Sequence, residues 1–346
     1  MRRALLVFLL IVFVLLGLAV RSVFTLITLL FEDASADAID RSELAAPNST
    51  VAKPSPQLIP KIIHQTYINS SIPTRWQAAQ QSCIDLHPDY EYMLWTDDKG
   101  HDFIKREYPW FLETFEKYRY NIQRADAIRY FVLVYYGGVY IDLDDGCRRR
   151  LDPLLSFSAW LRRTIPTGIS NDAMGASPQH PFFVGVIAQL QNYNRSWFLP
   201  YITIMGSTGP LFLSVMWKKY IDRHKNEGPD WAGRVRVLMP DEYSKHAWSF
   251  FNIFKGDSWH KGDAKLIFWM GRHWMFLTAA GFGLAGLIGL FGWWSYGRIL
   301  LVAGRRKYGP GGHSNPQLAP KKKAWVPLWM RWTATHEYEL VEQHDA

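Results

Sequence analysis

The sequence predicts an α/β domain with a mostly parallel sheet flanked by helices, together with two transmembrane helices. Three observations support this fold class. Short apolar strands alternate with helical segments over residues 58–141. Long apolar runs lie near both ends of the chain. Three aspartates follow an apolar strand directly in "VYIDLDDG", and sites in parallel sheets form outside the carboxyl ends of strands.

The N-terminal segment, residues 1–31, is predicted to anchor the chain in a membrane. Residues 4–20 are 17 consecutive apolar residues, and the apolar run resumes after Arg21. A secretory signal has a shorter apolar core of about 7–15 residues, so we favour an uncleaved anchor over a signal peptide. Residues 32–57 are polar and rich in Ala, Ser and Pro, which is typical of a stalk.

A second membrane segment is predicted at residues 266–295. Within it, residues 274–294 carry no charge and are bracketed by Trp274, Trp293 and Trp294, an arrangement typical of the aromatic belt at a bilayer interface. The remaining residues, 296–346, contain eight Lys or Arg against four Asp or Glu and form a basic tail.

The distribution of charge predicts the topology. The chain has 39 Lys and Arg against 31 Asp and Glu, but the basic excess lies in the two tails and the middle is close to neutral. A near-neutral domain argues against a nucleic-acid partner. The positive-inside rule places both termini in the cytosol and residues 32–265 in a lumen.

Two further features agree with a lumenal domain. Sequons for N-glycosylation begin at Asn48, Asn69 and Asn194, all in the predicted lumenal part. The two cysteines, Cys83 and Cys147, can pair in an oxidising compartment, but the sequence leaves open whether they do.

The elements of residues 58–141 follow from their periodicity. Strands are predicted at Lys61–Gln65, at residues 90–98 and at Val139–Ile141, with helices ending before Pro88 and running through residues 101–118. Residues 121–138 place apolar side chains at steps of three and four and end in Gly137 and Gly138, which predicts an amphipathic helix.

The acidic cluster after the third strand is the candidate metal site. Asp142 and Asp144 are two residues apart, a spacing that puts side chains of an extended chain on one face. Neighbouring carboxylates repel each other unless a cation lies between them, and hard oxygen ligands suit Mg²⁺ or Mn²⁺. The alternative is a solvated acidic turn. Asp145 either assists the metal or holds that turn.

A charged pair lies on the helix before this strand. Asp126 and Arg129 are three residues apart and share a helix face. They form either a surface ion pair of little energetic value or part of a nucleotide-sugar site in which the acid binds ribose or base and the arginine contacts sugar or phosphate.

Two other segments bear on the membrane. Residues 197–217 are too apolar for an ordinary surface loop, but Gly206, Gly209 and Pro210 argue against a third span, so the segment is either a membrane-facing wall or core. Residues 248–259 are rich in aromatic side chains and lie just before the second membrane segment.

Seven motifs occur in a fixed order along residues 58–265. They are "IPKIIHQTY", "HPDYEYMLWTDD", "YPWFL", "IQRADAIRYFVLVYYGGVYIDLDDGCRRRLDPLL", "GASPQHPFF", "IMGSTGPLF" and "GDSWHKGDAK". Together they resemble glycosyltransferase family 32, the DXD-containing sugar transferases, and in particular the fungal mannosyl phosphorylinositol ceramide synthase catalytic subunits.

This resemblance implies a GT-A-type catalytic domain in a Golgi membrane protein. It implies GDP-mannose as donor, Mn²⁺ or another divalent cation as cofactor, and the inositol of inositol phosphoceramide as acceptor, with retention at the anomeric carbon. It also implies a small calcium-responsive membrane protein as regulatory partner.

The resemblance assigns roles to individual residues. Asp142 and Asp144 match the DXD pair, the first contacting ribose and the second ligating metal, and His260 matches a late metal or phosphate ligand. Asp126 and Arg129 match the nucleotide-sugar-binding pair. His260 also lies close enough to the second membrane segment to be interfacial.

Two further matches complete the predicted donor site. His64, Gln65 and Thr66 match the strand edge that holds the nucleotide base, although His64 can equally be an ordinary buried histidine. Ser170 to Asp172, including Asn171, match a polar loop near the transferred sugar. His180 and Cys147 are interpreted as structural.

Two alternatives to this function remain at this point. One is another Golgi GT-A glycosyltransferase that acts on glycoprotein glycans, and the other is a catalytically silent, membrane-bound scaffold subunit. The complete set of Asp126, Arg129, Asp142 and Asp144 argues against the scaffold.

Overall fold

The structure is a computed structural model. It describes residues 2–44, 56–165, 167–229, 231–254, 256 and 262–306. The chain divides into two units, Met1–Trp269 and Met270–Ala346, and the sheet and the cavity described below belong to the first.

The helices and strands follow the predicted alternation. In chain order they are α1 (Arg2–Leu30), β1 (Ile62–Thr66), α2 (Thr74–Leu86), β2 (Glu91–Trp95), α3 (Asp97–Glu107), α4 (Pro109–Lys117), α5 (Asn121–Tyr136), β3 (Gly138–Ile141), β4 (Asp145–Cys147), β5 (Ala159–Arg163), β6 (Ile169–Ala176), α6 (Pro181–Tyr193), α7 (Pro200–Ser207), α8 (Pro210–His224), β7 (Val235–Leu238), β8 (Phe251–Ile253), α9 (Gly262–Arg272) and α10 (Trp274–Arg306). Short 3₁₀ turns and one π-helical turn, Asp241–Lys245, complete the described chain.

The main sheet is mixed rather than mostly parallel. Within the described residues it has six strands in the order β2-β1-β3-β6-β5-β7. β1 pairs in parallel with β2 and β3, and β5 pairs in parallel with β7, whereas β6 is antiparallel to both of its neighbours. The prediction missed this reversal because β6 contains "SND", which was interpreted as a polar loop.

A two-glycine turn joins α5 to β3. Gly137 has a φ of 67° and Gly138 a φ of 93°, both in the left-handed region that favours glycine. A Cβ at Gly138 would lie 2.7 Å from the carbonyl oxygen of Ile62 on the neighbouring strand. This close approach lets β3 enter the sheet beside β1 and brings Asp142 to the carboxyl edge.

The core lies on both faces of the sheet. α5 packs against one face and is buried around most of its circumference, including the polar side chains of Gln123, Asp126 and Arg129. The prediction of an amphipathic helix with a surface face is therefore corrected. A helix of this kind is a core helix, and its charged residues need partners inside the protein.

Residues 32–44, which the sequence assigned to the stalk, lie along β7. The backbone N of Ile39 donates to the carbonyl oxygen of Val237 at 2.9 Å. Arg234 and Arg236 reach across to this segment and pair with Asp37 and Glu43. Of the other stalk residues, 45–55 lie outside the described residues.

One helix in the described part of the chain is long and apolar enough to cross a membrane, Trp274–Arg298 within α10. Its position agrees with the predicted second membrane segment. α1 covers most of the predicted N-terminal anchor, and many of its apolar side chains are exposed. A second span at this helix stays a prediction.

The apolar segment 197–217 forms α7 and the first half of α8. Phe212, Leu213 and Trp217 of α8 are fully buried in the core, whereas Trp197 and Phe198 before α7 are exposed. The segment is thus core along α8 and surface at its N-terminal end.

Candidate active site

A cavity of about 630 Å³ opens at the carboxyl ends of β1, β2 and β3. The part of its wall that the structure describes carries six aspartates and four arginines: Asp97, Asp126, Asp142, Asp144, Asp145, Asp172, Arg75, Arg124, Arg129 and Arg162. The carboxyl groups outnumber the guanidinium groups by two, so a cation on this wall would favour the binding of a diphosphate.

Asp142 stands at the centre of this wall. Its Oδ1 accepts a hydrogen bond of 2.6 Å from the Tyr140 hydroxyl and lies 3.2 Å from a guanidinium nitrogen of Arg129. Thr66 Oγ1 lies 2.8 Å from the same hydroxyl. Because Tyr140 donates to the carboxylate, it accepts from Thr66, and this chain of hydrogen bonds fixes the Asp142 carboxylate across β1 and β3.

Asp144 differs from Asp142 in having no ion-pair or side-chain hydrogen-bond partner among the described residues. Burial, and secondarily the charge of Asp142, raises the pKa of this carboxyl. Its backbone is held nonetheless, because Phe254 N donates to its carbonyl oxygen at 2.7 Å. A Cβ at Gly256 would overlap Asp144 Oδ2, so a larger residue there would force this carboxylate to move.

Asp145 belongs to the support of the loop. Its carboxylate is buried and accepts a hydrogen bond of 2.5 Å from the Tyr243 hydroxyl. Burial raises the pKa of this carboxyl. Of the two roles left open by the sequence, the geometry favours holding the turn.

Asp126 and Arg129 form a buried network rather than a surface pair. Arg129 lies 3.0 Å from Asp126 Oδ1 and donates at 2.6 Å to the carbonyl oxygen of Asn171. Asn171 Nδ2 and Thr208 Oγ1 donate to the two oxygens of Asp126. Burial raises the pKa of Asp126 to about 6 although Arg129 lies beside it. Arg129 is therefore held between the carboxylates of Asp126 and Asp142.

An irregularity in β6 brings Asn171 and Asp172 to the cavity. β5 pairs with β6 through Leu161 and Met174, but the next pair joins Arg162 to Ser170, so residues 171–173 leave the ladder with β5. Such bulges often re-aim side chains next to active sites. Asp172 forms an ion pair with Arg162, and its carbonyl oxygen accepts from Asp142 N at 2.7 Å.

The three residues predicted to hold the base at the edge of β1 lie in different surroundings. Thr66 lines the cavity, whereas Gln65 is buried behind it and accepts a hydrogen bond from Tyr92. His64 is fully buried, lies 2.8 Å from the carbonyl oxygen of Gly137 and accepts from Trp95 Nε1. Desolvation lowers the pKa of His64 to about 4. It is a neutral, satisfied histidine and does not reach the cavity.

The residues present fit a hard divalent cation. No group of three or more His, Cys, Asp or Glu in the described part of the chain is arranged to hold a metal alone. Asp142 and Asp144 nevertheless supply carboxylate oxygens into a cavity with excess negative charge, and Mg²⁺-type sites take one or two carboxylates plus phosphate oxygens. The predicted third ligand, His260, lies outside the described residues.

Cys83 and Cys147 form a disulfide, which the sequence left open. Cys83 lies on α2 and Cys147 on β4, immediately after the acidic loop. Of the predicted sequons, Asn69 and Asn194 are exposed, and Asn48 lies outside the described residues.

Several residues that line the cavity were not predicted from the sequence as part of the site. Arg162 pairs with Asp172, stacks over the Tyr243 ring at 3.8 Å, and has a buried Nε without a hydrogen-bond partner among the described residues. Asp97 and Tyr67 also line the cavity. The aspartate in "WTDD" was interpreted as part of a turn, and only the position of β2 next to β1 reveals that it faces the site.

Comparisons with known proteins agree with this geometry. Residues 73–160 match the family described as "Glycosyltransferase sugar-binding region containing DXD motif". Two mannosyl phosphorylinositol ceramide synthases of Saccharomyces cerevisiae, CSH1 and SUR1, are each 55% identical to this chain over 78% of its length and 71% and 68% of theirs. Inositol phosphoceramide mannosyltransferase 3 of Schizosaccharomyces pombe is 45% identical over 81% of this chain and 77% of its own.

The chain belongs to the inositol phosphoceramide mannosyltransferase family. As a member of this family it is a glycosyltransferase. Within the matched residues, the sequence Asp142-Leu143-Asp144 has the D-x-D spacing.

Among solved structures, the chain is similar to the PaToxG glycosyltransferase. The two are 20% identical, the match covers 55% of this chain and 82% of the other, and the TM-score is 0.40.

Proposed function

We propose that this protein transfers mannose from GDP-mannose to the inositol of inositol phosphoceramide, with retention at the anomeric carbon. The names of the relatives support the donor sugar and the acceptor lipid. The single observation that carries the proposal is the unpaired Asp144 carboxylate beside Asp142 in a cavity with excess negative charge. The catalytic domain is accordingly proposed to have the GT-A fold.

Asp142, Asp144 and His260 would hold a divalent cation such as Mn²⁺. When bound, the cation supplies Lewis-acid stabilisation of the departing diphosphate. Arg129 stays charged between Asp126 and Asp142 and holds the Asp142 carboxylate in place. Arg162 lines the cavity, and its ion pair keeps Asp172 oriented towards it.

The protein carboxylates near the acidic loop argue against a covalent glycosyl–enzyme intermediate. Asp126, Asp142, Asp145 and Asp172 already accept hydrogen bonds or ion pairs. We therefore propose that the acceptor hydroxyl attacks on the face from which GDP leaves, and that a diphosphate oxygen takes its proton.

The chain is also proposed to be a Golgi membrane protein with both termini in the cytosol. α1 and α10 would be its two spans, and a calcium-responsive membrane subunit its regulatory partner. The helix Trp274–Arg298 and the exposed apolar side chains of α1 support the membrane assignment. Phe198 is 99% exposed and would suit a surface close to the bilayer that carries the ceramide.

The test is a transfer assay with the full chain in detergent or microsomes. We expect mannose transfer from GDP-mannose to inositol phosphoceramide in the presence of Mn²⁺, none from UDP-sugars, and none after chelation with EDTA. Transfer to a glycoprotein glycan instead of the lipid would point to another Golgi glycosyltransferase. Absence of both GDP-mannose hydrolysis and transfer would point to a silent scaffold.

A further inference from the structure

Two of the six cavity aspartates have no protein partner among the described residues. One is Asp144, and the other is Asp97 at the end of β2. Asp97 is half-buried, and burial raises the pKa of its carboxyl, as expected for a carboxylate that has lost water without gaining a donor.

Helix capping does not account for Asp97. It is the first residue of α3, but Thr96 already caps this helix, since Thr96 Oγ1 accepts from Lys99 N at 3.3 Å. Asp98, in the same turn, is exposed to solvent and does not line the cavity, and an acid in the first turn of a helix is favoured by the helix dipole.

The sheet fixes the position of Asp97 relative to the acidic loop. Thr66 pairs with Trp95, and His64 pairs with Tyr140, so β2 lies two strands from β3 at the same edge. The two strand spacings amount to roughly 10 Å. Asp97 and Asp142 therefore lie at opposite ends of one cavity, a separation that a ribose and an α-phosphate can bridge.

An aromatic side chain lies next to Asp97. Tyr67 N donates to the carbonyl oxygen of Trp95, and Asp97 N donates to that of Ile68, so the two chains run side by side beyond their strands. Tyr67 lines the cavity, and its ring packs edge-on against the Trp76 ring with centroids 5.9 Å apart. This gives a fixed ring on which a base can stack.

We propose that Asp97 reads the base of the donor nucleotide by accepting hydrogen bonds from N1–H and N2–H₂ of guanine. This inference rests on the proposed GDP donor. Guanine presents two adjacent donors that match the two oxygens of one carboxylate. Uracil presents one donor between two carbonyls, and adenine presents an acceptor at N1, so a carboxylate repels both. Asp97 thus selects guanine, while Asp142 and Asp144 would hold the cation that binds the diphosphate.

The substitution Asp97→Asn tests the proposal because it reverses one hydrogen bond. The asparagine amide offers one donor and one acceptor, which match xanthine, whose carbonyl replaces the amino group of guanine. The affinities of GDP, XDP, IDP and UDP are measured by calorimetry on the full chain in detergent with Mn²⁺. Asp98→Asn is the matched control, since it removes the same charge one residue away outside the cavity.

We expect the unmodified protein to bind GDP about 10-fold or more tightly than IDP, which lacks the amino group. In Asp97→Asn, GDP binding should fall by about 100-fold and XDP should become the preferred nucleotide, with the melting temperature unchanged. Asp98→Asn should bind GDP as the unmodified protein does.

Two outcomes would contradict recognition of the base by Asp97 and leave the proposed GDP donor untouched. One is an unchanged preference for GDP in Asp97→Asn, and the other is loss of GDP binding without a gain in XDP binding. Preference of the unmodified protein for UDP would instead contradict the proposed donor, and base reading with it.

Discussion

Among the individual residues, Asp144 gives the strongest support for a bound metal ion. Its carboxylate has no partner among the described residues and lies in a partly desolvated site beside Asp142. Nearly every other acid of the cavity is already engaged with a hydroxyl, an amide or an arginine. A partly buried carboxylate with no ion-pair or side-chain hydrogen-bond partner in the described part of the chain is a candidate ligand for a bound cation.

Replacement of this side chain gives the first prediction. Asp144→Asn should lower Mn²⁺-dependent mannose transfer at least about 100-fold, because several kcal/mol of charge stabilisation on the leaving group are lost. The free energy of unfolding should change by less than about 0.5 kcal/mol, because no protein contact is removed. Transfer rates and thermal unfolding measure the two quantities. Asp85→Asn, on the exposed face of α2, is the control.

His64 gives a prediction on pH. Its pKa is lowered to about 4 in the folded protein from 6.5, so the unfolded state binds the proton first. Its contribution to stability is complete above pH 6.5 and is lost as pH falls from about 6.5 to about 4, with a total of about 3 kcal/mol.

His64→Gln removes this titration while keeping a donor for the Gly137 carbonyl and an acceptor for Trp95. We expect a flatter dependence of unfolding free energy on pH between 4 and 6.5 than in the unmodified protein, as measured by denaturant titration at several pH values. Parallel curves for the two proteins would contradict the assignment.

Residue roles were predictable where charge is unusual for its surroundings. Asp142, Asp144, Asp126 and Arg129 stand out as charges on apolar elements, and the structure brings all four to one cavity. His64 does not stand out, since a histidine on a strand is compatible with burial or with a site. Arg162 and Asp97 carry no local signal at all, because their exposure to the cavity depends on contacts between distant strands.

At the scale of elements, the acidic loop is held by its neighbours in space. The disulfide joins α2 to β4 across a sequence separation of 64 residues. β4 also pairs with β8 on its other side. The loop between β3 and β4 is therefore fixed at both ends, and a metal-binding carboxylate on it loses little further freedom on binding.

Removal of the disulfide should weaken both stability and metal binding. In the chain-entropy model, a closed loop of this length stabilises the folded state by about 4 kcal/mol. We expect Cys83→Ala with Cys147→Ala to unfold at a lower temperature and to need more Mn²⁺ for half-maximal transfer. The chain has no other cysteine, so dithiothreitol should reproduce the effect in the unmodified protein and have none in the double variant.

The polarity of the sheet was the least predictable property of its elements. The parallel strands β1, β2 and β3 are separated by helices whose patterns are visible in the sequence. β5 and β6 form an antiparallel pair with a short connection, and the bulge in β6 interrupts the alternation that marks a strand. The same irregularity that concealed the strand exposes Asn171 and Asp172.

At the scale of the whole molecule, composition predicts a topology that protease protection can test. If both termini are cytosolic, a tag fused to the C-terminus should be digested in intact microsomes, whereas the domain with Asn69 and Asn194 should be protected until detergent is added. Glycosidase treatment of the protected fragment should raise its mobility on a gel. Protection of the tag would contradict the two-span topology.

The fold class was predictable because apolar periodicity and apolar length are local properties of a sequence. Apolar length predicted the helix Trp274–Arg298 within α10 directly, because residues 274–294 are an uncharged stretch of full length. Composition did not predict that the polar residues 32–44 pack along β7. Arg234 and Arg236 hold this segment there through ion pairs with Asp37 and Glu43.

The two-stranded sheet of β4 and β8 connects the acidic loop to the part of the chain that follows β8. Phe254, which bonds the Asp144 backbone, and Gly256, which borders its carboxylate, lie on the stretch that leads on to α9. A substitution that displaces β8 would therefore also displace Asp144 relative to Asp142, even where it leaves the main sheet and its core intact.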